Sequence, residues 1–74
     1  MYEKKDIEKD AIYVGRDGSR RLVLDHCNGY GYGYGRFNEI VRYKELTTNE
    51  MKVVLARSFA AWAIQREWND EAID

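Results

Sequence analysis

Apolar and polar positions alternate with a period of two at several places in the first 45 residues, and a helix-like spacing takes over near the end. Ala11-Ile12-Tyr13-Val14 is a β-branched and aromatic run that stops at Gly15, and Arg20-Arg21-Leu22-Val23-Leu24-Asp25 is a second. Between them Arg16-Asp17-Gly18-Ser19 carries an Asp-Gly turn signal, so the two runs predict a β-hairpin. Asn28-Gly29 marks the next break. From Phe37 to Lys44 another strand is expected, with Phe37, Glu39, Val41 and Tyr43 on one face and Asn38, Ile40, Arg42 and Lys44 on the other. A turn at Leu46-Thr47-Thr48-Asn49 ends it.

The C-terminal third supports two readings. Thr47-Thr48-Asn49-Glu50 fits a capping box, and Met51, Leu55, Phe59 and Trp62 recur at helical spacing, which gives one helix over about 48–68. Lys52-Val53-Val54-Leu55 is instead short and β-branched, which gives a strand at 51–55 followed by a helix from about 57. The second is favoured because the sheet otherwise has only three strands. A helix over 58–68 is common to both. The expected fold class is therefore α+β: a small antiparallel sheet of three to four strands with one C-terminal helix, in a single domain spanning 1–74. Residues 1–9 mix charges without period and are expected to fray, pairing at Ile7, and 69–74 are expected to fray as well.

Length restricts function. The chain has 74 residues, no proline, one cysteine and one histidine. A domain this small uses most of its large apolar side chains to offset the entropy of folding. The expected core stock is Ile7, Ile12, Val14, Leu22, Val23, Leu24, Ile40, Val41, Leu46, Val53, Val54, Leu55, Phe59, Trp62 and Ile64, which leaves few residues to line a substrate pocket. Enzymatic activity is not expected. A homodimer would relieve the shortage. No apolar run approaches a membrane span and no signal-peptide core follows the charged start, so a cytoplasmic protein without membrane partners is expected. The formal charge of −1 hides a polarity. Residues 1–12 carry three lysines against four acids; residues 13–44 carry Arg16, Arg20, Arg21, Arg36, Arg42 and Lys44 against three acids; residues 45–74 carry three bases against six acids.

The least ordinary stretch is Asn28-Gly29-Tyr30-Gly31-Tyr32-Gly33-Tyr34-Gly35-Arg36. Extended, it places Tyr30, Tyr32 and Tyr34 on one face and glycine on the other. Tyrosine offers a large amphipathic contact area at low rotamer cost, and glycine allows close backbone approach, a combination suited to recognition. Arg36 adds a planar donor for carboxylate or phosphate. The alternative is a hairpin loop whose tyrosines pack on the domain itself. Arg16, Arg20 and Arg21 cluster about the first hairpin and, interleaved with the tyrosines, would form an arginine-aromatic surface for a protein or for single-stranded nucleic acid. As plain solvent-facing arginines they would balance the acidic tail. The spacing G-x-G-x-x-G is missing and no Gly-Lys-Ser/Thr follows, so no nucleotide cofactor is expected. His26 and Cys27 are neighbours whose side chains point to opposite faces of a strand, which argues against a catalytic dyad. A half-buried thiol beside a surface imidazole is expected, and one cysteine with one histidine gives no metal centre. Phe59 and Trp62 are expected to cap the sheet. Trp68 falls on a different face, either packed by the chain end or exposed as an anchor.

The segments DAIYVGRDGSRRLVLDH, IVRY and LARSFAAWA, through Tyr13, Gly18, Arg21, Val23, Val41, Tyr43, Phe59, Trp62 and Ala63, resemble a pattern in small phage and prophage accessory proteins. These are compact SH3-like or partly open β-barrels closed by a short helix with a Phe-x-x-Trp-Ala element. The resemblance touches about 40% of the chain and implies no catalytic residue. It implies a host-takeover inhibitor of the anti-CRISPR kind, acting on a host protein in an infected or lysogenic bacterial cell, with the Tyr-Gly insert of 28–36 as the departure from the pattern. Expected partner-binding residues are Tyr30, Tyr32, Tyr34, Arg36, Arg16, Arg20 and Arg21. The alternative is a small nucleic-acid-binding module.

Overall fold

The computed structural model describes residues 2–29 and 38–68. Among the described residues, five strands and one α-helix follow a short 3-10 helix at Lys4–Asp6. β1 is Ala11–Gly15, β2 Arg20–Gly29, β3 Asn38–Glu45, β4 Glu50–Leu55, α1 Ala56–Trp62 and β5 Ala63–Trp68. All neighbours pair antiparallel, in the order β4-β3-β2-β1-β5. The α+β expectation holds in this coarse form, and the count of three to four strands is corrected to five.

The first hairpin forms as its turn residues dictate. Gly18 takes φ +82°, which costs a glycine little, and its N–H donates to the Gly15 carbonyl at 3.0 Å. The Asp17 carboxylate accepts from the Ser19 N–H and hydroxyl, and the Ser19 hydroxyl bond is the chief reason its pKa lies below the usual carboxylate value. Tyr13 pairs with Arg21, and Ile12 with Leu22. Leu46-Thr47-Thr48-Asn49 is a turn as expected, with Asn49 at φ 64° and its N–H on the Glu45 carbonyl. Asparagine tolerates this left-handed geometry better than most residues. The strand reading of 51–55 is correct, and β4 begins one residue earlier.

The expected helix over 58–68 is present only as far as Trp62. α1 runs seven residues, and Ala63 already has extended angles of φ −72° and ψ 135°. Residues 63–68 become β5 against β1, with Ala11 opposite Trp68 and Tyr13 opposite Arg66. A helix this short has little intrinsic stability, and a continued one would leave β1 without its outer neighbour. Pairing also brings Arg66 to Glu8 at 3.0 Å and Glu67 to Arg20 at 2.7 Å. Ile64, counted in the core stock, is 54% exposed as a result, and Trp68 is 51% exposed.

One face of the sheet carries the core. Tyr13, Val23, Val41 and Tyr43 project from β1, β2 and β3 against Ala56, Phe59 and Ala60 of α1, with Ile7, Ala11 and Ala63 beside them. The α1 residues recur at i, i+3 and i+4, so a single helical stripe faces the sheet. Phe59 lies 5.5 Å from the Tyr13 and Tyr43 rings and 5.3 Å from Trp62, all tilted or edge-on. Expectation placed Phe59 and Trp62 over the sheet, and both are there. It omitted Tyr13 and Tyr43, which are both buried.

The segment before β1 is pinned rather than frayed. Ile7 is buried, and Tyr2 stands edge-on to Tyr13 at 5.5 Å. The Tyr13 hydroxyl donates to the Asp6 carbonyl at 2.6 Å and accepts from the Glu8 N–H at 2.9 Å. Among the described residues, no helix is long and apolar enough to cross a membrane.

Candidate protein-binding site

The hairpin arginines and the roots of the Tyr-Gly insert sit at opposite ends of β2. Arg20 opens that strand and Gly29 closes it, so nine residue steps, about 30 Å of extended chain, separate them. A register shift between Val23 and Asp25 bends the strand on the way. Gly29 pairs with Asn38, and Asn28 with Glu39, so the insert springs from a closed antiparallel ladder. Tyr30, Tyr32, Tyr34 and Arg36 lie outside the described residues.

The three hairpin arginines differ in what they touch. Arg16 is exposed in the β1–β2 turn, makes no ion pair among the described residues, and shares a shallow cleft with Asp17, Ala61 and Trp62. Arg20 pairs with Glu67. Arg21, on the other face of β2, lies 3.8 Å from the Trp62 ring centre and 4.6 Å from that of Tyr43. Its Nε is 3.5 Å from Glu45 Oε2, with a side chain only 21% exposed. Neighbouring strand residues face opposite ways, so Arg20 and Arg21 do not form one patch.

This stacking gives Arg21 a role in the fold. Cation–π attraction is worth about 1–2 kcal/mol when partly desolvated, and removal would also leave the half-buried Glu45 carboxylate without its cation. Arg21→Ala is expected to lower the thermal midpoint by about 10 °C, against about 2 °C or less for Arg16→Ala. Circular-dichroism melts check this; equal midpoints for the two variants would contradict it.

At the insert's root, different residues gather. His26, Cys27, Asn28 and Glu39 line one shallow cleft, and Lys4, Asn38, Glu39, Leu55 and Arg57 line its neighbour. Lys4 Nζ lies 3.8 Å from Glu39 Oε1. Expectation for the His-Cys pair is reversed: Cys27 is exposed, whereas the His26 side chain is 16% exposed and held at both nitrogens. The bend in β2 turns His26 to the core side opposite Val41. No sequence signal distinguished the two. Among the described residues no group of His, Cys, Asp and Glu could hold a metal ion.

Other basic residues are engaged too. Arg42 Nε donates to Asp25 at 3.0 Å, and Lys5 lies 3.4 Å from Glu3. No family model matches the chain, and no curated protein or solved structure matches it.

Proposed function

We propose that the chain is a small non-enzymatic, phage-derived protein that binds and inhibits a host protein in the bacterial cytoplasm, in the manner of anti-CRISPR and other host-takeover inhibitors. The binding element is the Tyr-Gly insert, through Tyr30, Tyr32, Tyr34 and Arg36, presented by an SH3-like, partly open barrel. The barrel reading rests on the strand order β4-β3-β2-β1-β5 with a helical turn between β4 and β5. The phage setting rests on the resemblance of the Tyr13–Val23 hairpin and the Phe59–Ala63 element to accessory proteins of that kind.

One observation carries the binding role. The insert is rooted in register, Gly29 on Asn38, so a tyrosine-rich segment leaves a paired hairpin at two adjacent points. Anchoring both ends lowers the ordering cost of binding. Arg16 and Arg20 stand at the far end of β2 and form, at most, a second contact zone.

Tyrosines at the centre of an interface commonly contribute about 2 kcal/mol or more each. Replacing Tyr30, Tyr32 and Tyr34 together by serine is expected to leave the thermal midpoint within about 3 °C and to abolish capture of a host protein from lysate. Unchanged capture by a folded triple variant would overturn the proposal. Binding to DNA or RNA that falls steeply with salt above about 50 mM would select the nucleic-acid reading instead; the ion-paired state of Arg20, Arg21, Arg42 and Arg66 weighs against it.

A further inference from the structure

We propose that His26 is a proton-dependent clasp that ties the N-terminal segment to the β2–β3 hairpin at the root of the insert. The proposal rests on donor counting at the ring. His26 Nδ1 lies 2.6 Å from the Ile7 carbonyl oxygen, and a carbonyl only accepts, so Nδ1 must donate. Nε2 lies 2.5 Å from Glu39 Oε2, and a carboxylate only accepts, so Nε2 must donate as well. A neutral imidazole has one N–H and the imidazolium has two. Both bonds coexist with an ionised Glu39 only when the ring is protonated.

The surrounding charges fit that arrangement. Lys4, from the 3-10 helix, approaches the other Glu39 oxygen, so the carboxylate lies between two cationic side chains. Arg57 of α1 lines the adjoining cleft with Lys4 and Glu39. The Asp6 carboxylate is turned away and accepts the Glu3 N–H at 2.8 Å, and Lys5 is paired with Glu3. From β2, Cys27 and Asn28 border the same cleft as His26, and Asp25 is occupied by Arg42.

Loss of the ring proton breaks the clasp at one side or the other. A lone pair on Nε2 would face the Glu39 carboxylate, and a lone pair on Nδ1 would face the Ile7 carbonyl. Ile7 is 3% exposed. The segment is also tied to the sheet by the Tyr13 hydroxyl, which grips Asp6 and Glu8, and by the Glu8–Arg66 pair. Deprotonation therefore loosens residues 2–8 without unfolding the sheet. It also frees Glu39, whose ladder partner Asn28 adjoins the insert's root.

Amide exchange reads this directly. In the full chain the Ile7 and Glu8 amides, corrected for intrinsic rate, are expected to exchange about tenfold faster at pH 8 than at pH 5.5, the size expected for losing one charge-assisted bond. Val23 and Val41 amides in the sheet should change far less. Glu39→Gln supplies a carboxamide that can donate to a neutral Nε2, so this variant should lose the pH dependence and keep the protection. Ring nitrogen shifts give a second measurement that needs no variant: both His26 nitrogens should carry protons at pH 5.5. An unprotonated Nε2 in the clasped state, a wild-type ratio near one, or an undiminished ratio in Glu39→Gln would each overturn the proposal.

Discussion

Phe59→Ala is expected to cost about 3–5 kcal/mol, a large share of the protein's total stability. Phe59 is fully buried and is the hub of the aromatic core, within 5.5 Å of the Tyr13, Tyr43 and Trp62 rings. Phe-to-Ala substitutions in a packed core cost about 3–5 kcal/mol, from lost transfer energy and the cavity left behind. A domain of 74 residues has about 4–11 kcal/mol in total at the usual 0.05–0.15 kcal/mol per residue. Collapse around the gap is restricted, because the three surrounding rings come from β1, β3 and the end of α1 and cannot all move inward together. The effect also reaches the helix: α1 has seven residues and no side-chain cap, so its packing on the sheet, through Ala56, Phe59 and Ala60, holds it in place. Phe59→Leu, which keeps most of the volume, should cost about 1–1.5 kcal/mol and remain folded. Denaturant titration followed by circular dichroism distinguishes the two. A cooperative transition for Phe59→Ala within about 1 kcal/mol of wild type would show that the core does not depend on this ring.

What the sequence disclosed follows the range of the forces involved. The first hairpin, the strand ending at Lys44 and the turn at Asn49 depend on alternation and turn chemistry between near neighbours, and all three were legible. The strand at 51–55 was legible once the sheet's need for a further member was weighed against helical spacing. The end of α1 was not. Ala63-Ile64-Gln65-Arg66-Glu67-Trp68 has no breaker and continues the helical pattern, and it becomes a strand because β1, some 50 residues earlier, offers an unpaired edge. Tyr13 and Tyr43 are missing from the expected core stock, and burying a tyrosine requires a partner for its hydroxyl. Their hydroxyl and ring edges find partners only in three dimensions, Tyr13 on Asp6 and Glu8, Tyr43 beneath Arg21. The arginines were misjudged as a group for the same reason. Sequence proximity put Arg20 beside Arg21, and the period of two put them on opposite faces.

The second large effect comes from the smallest side chain in the core's wall. A Cβ added at Gly15 would lie within 2.7 Å of Trp62 Nε1, Cε2 and Cζ2, far inside van der Waals separation. The indole is laid against bare backbone, and Gly15 is what permits it. Its φ is not the reason, since the strand is extended there; the requirement is space. Trp62 has no simple escape, because the Arg21 guanidinium is stacked on its ring and Phe59 packs against it at a steep angle. Gly15→Ala therefore forces either a shift of β1 at the irregularity between Val14 and Gly15 or expulsion of the indole from its stack. Overpacking of this kind costs about 1–3 kcal/mol. Because Arg21 would be stripped of its indole partner as well, the upper end is expected, a fall of about 15 °C in the thermal midpoint. The mechanism predicts non-additivity. With Trp62→Leu already in place the clash is gone, so adding Gly15→Ala to that variant should cost less than about 0.5 kcal/mol. A full penalty in the Trp62→Leu background would mean that the glycine is needed for its backbone and not for the room it leaves.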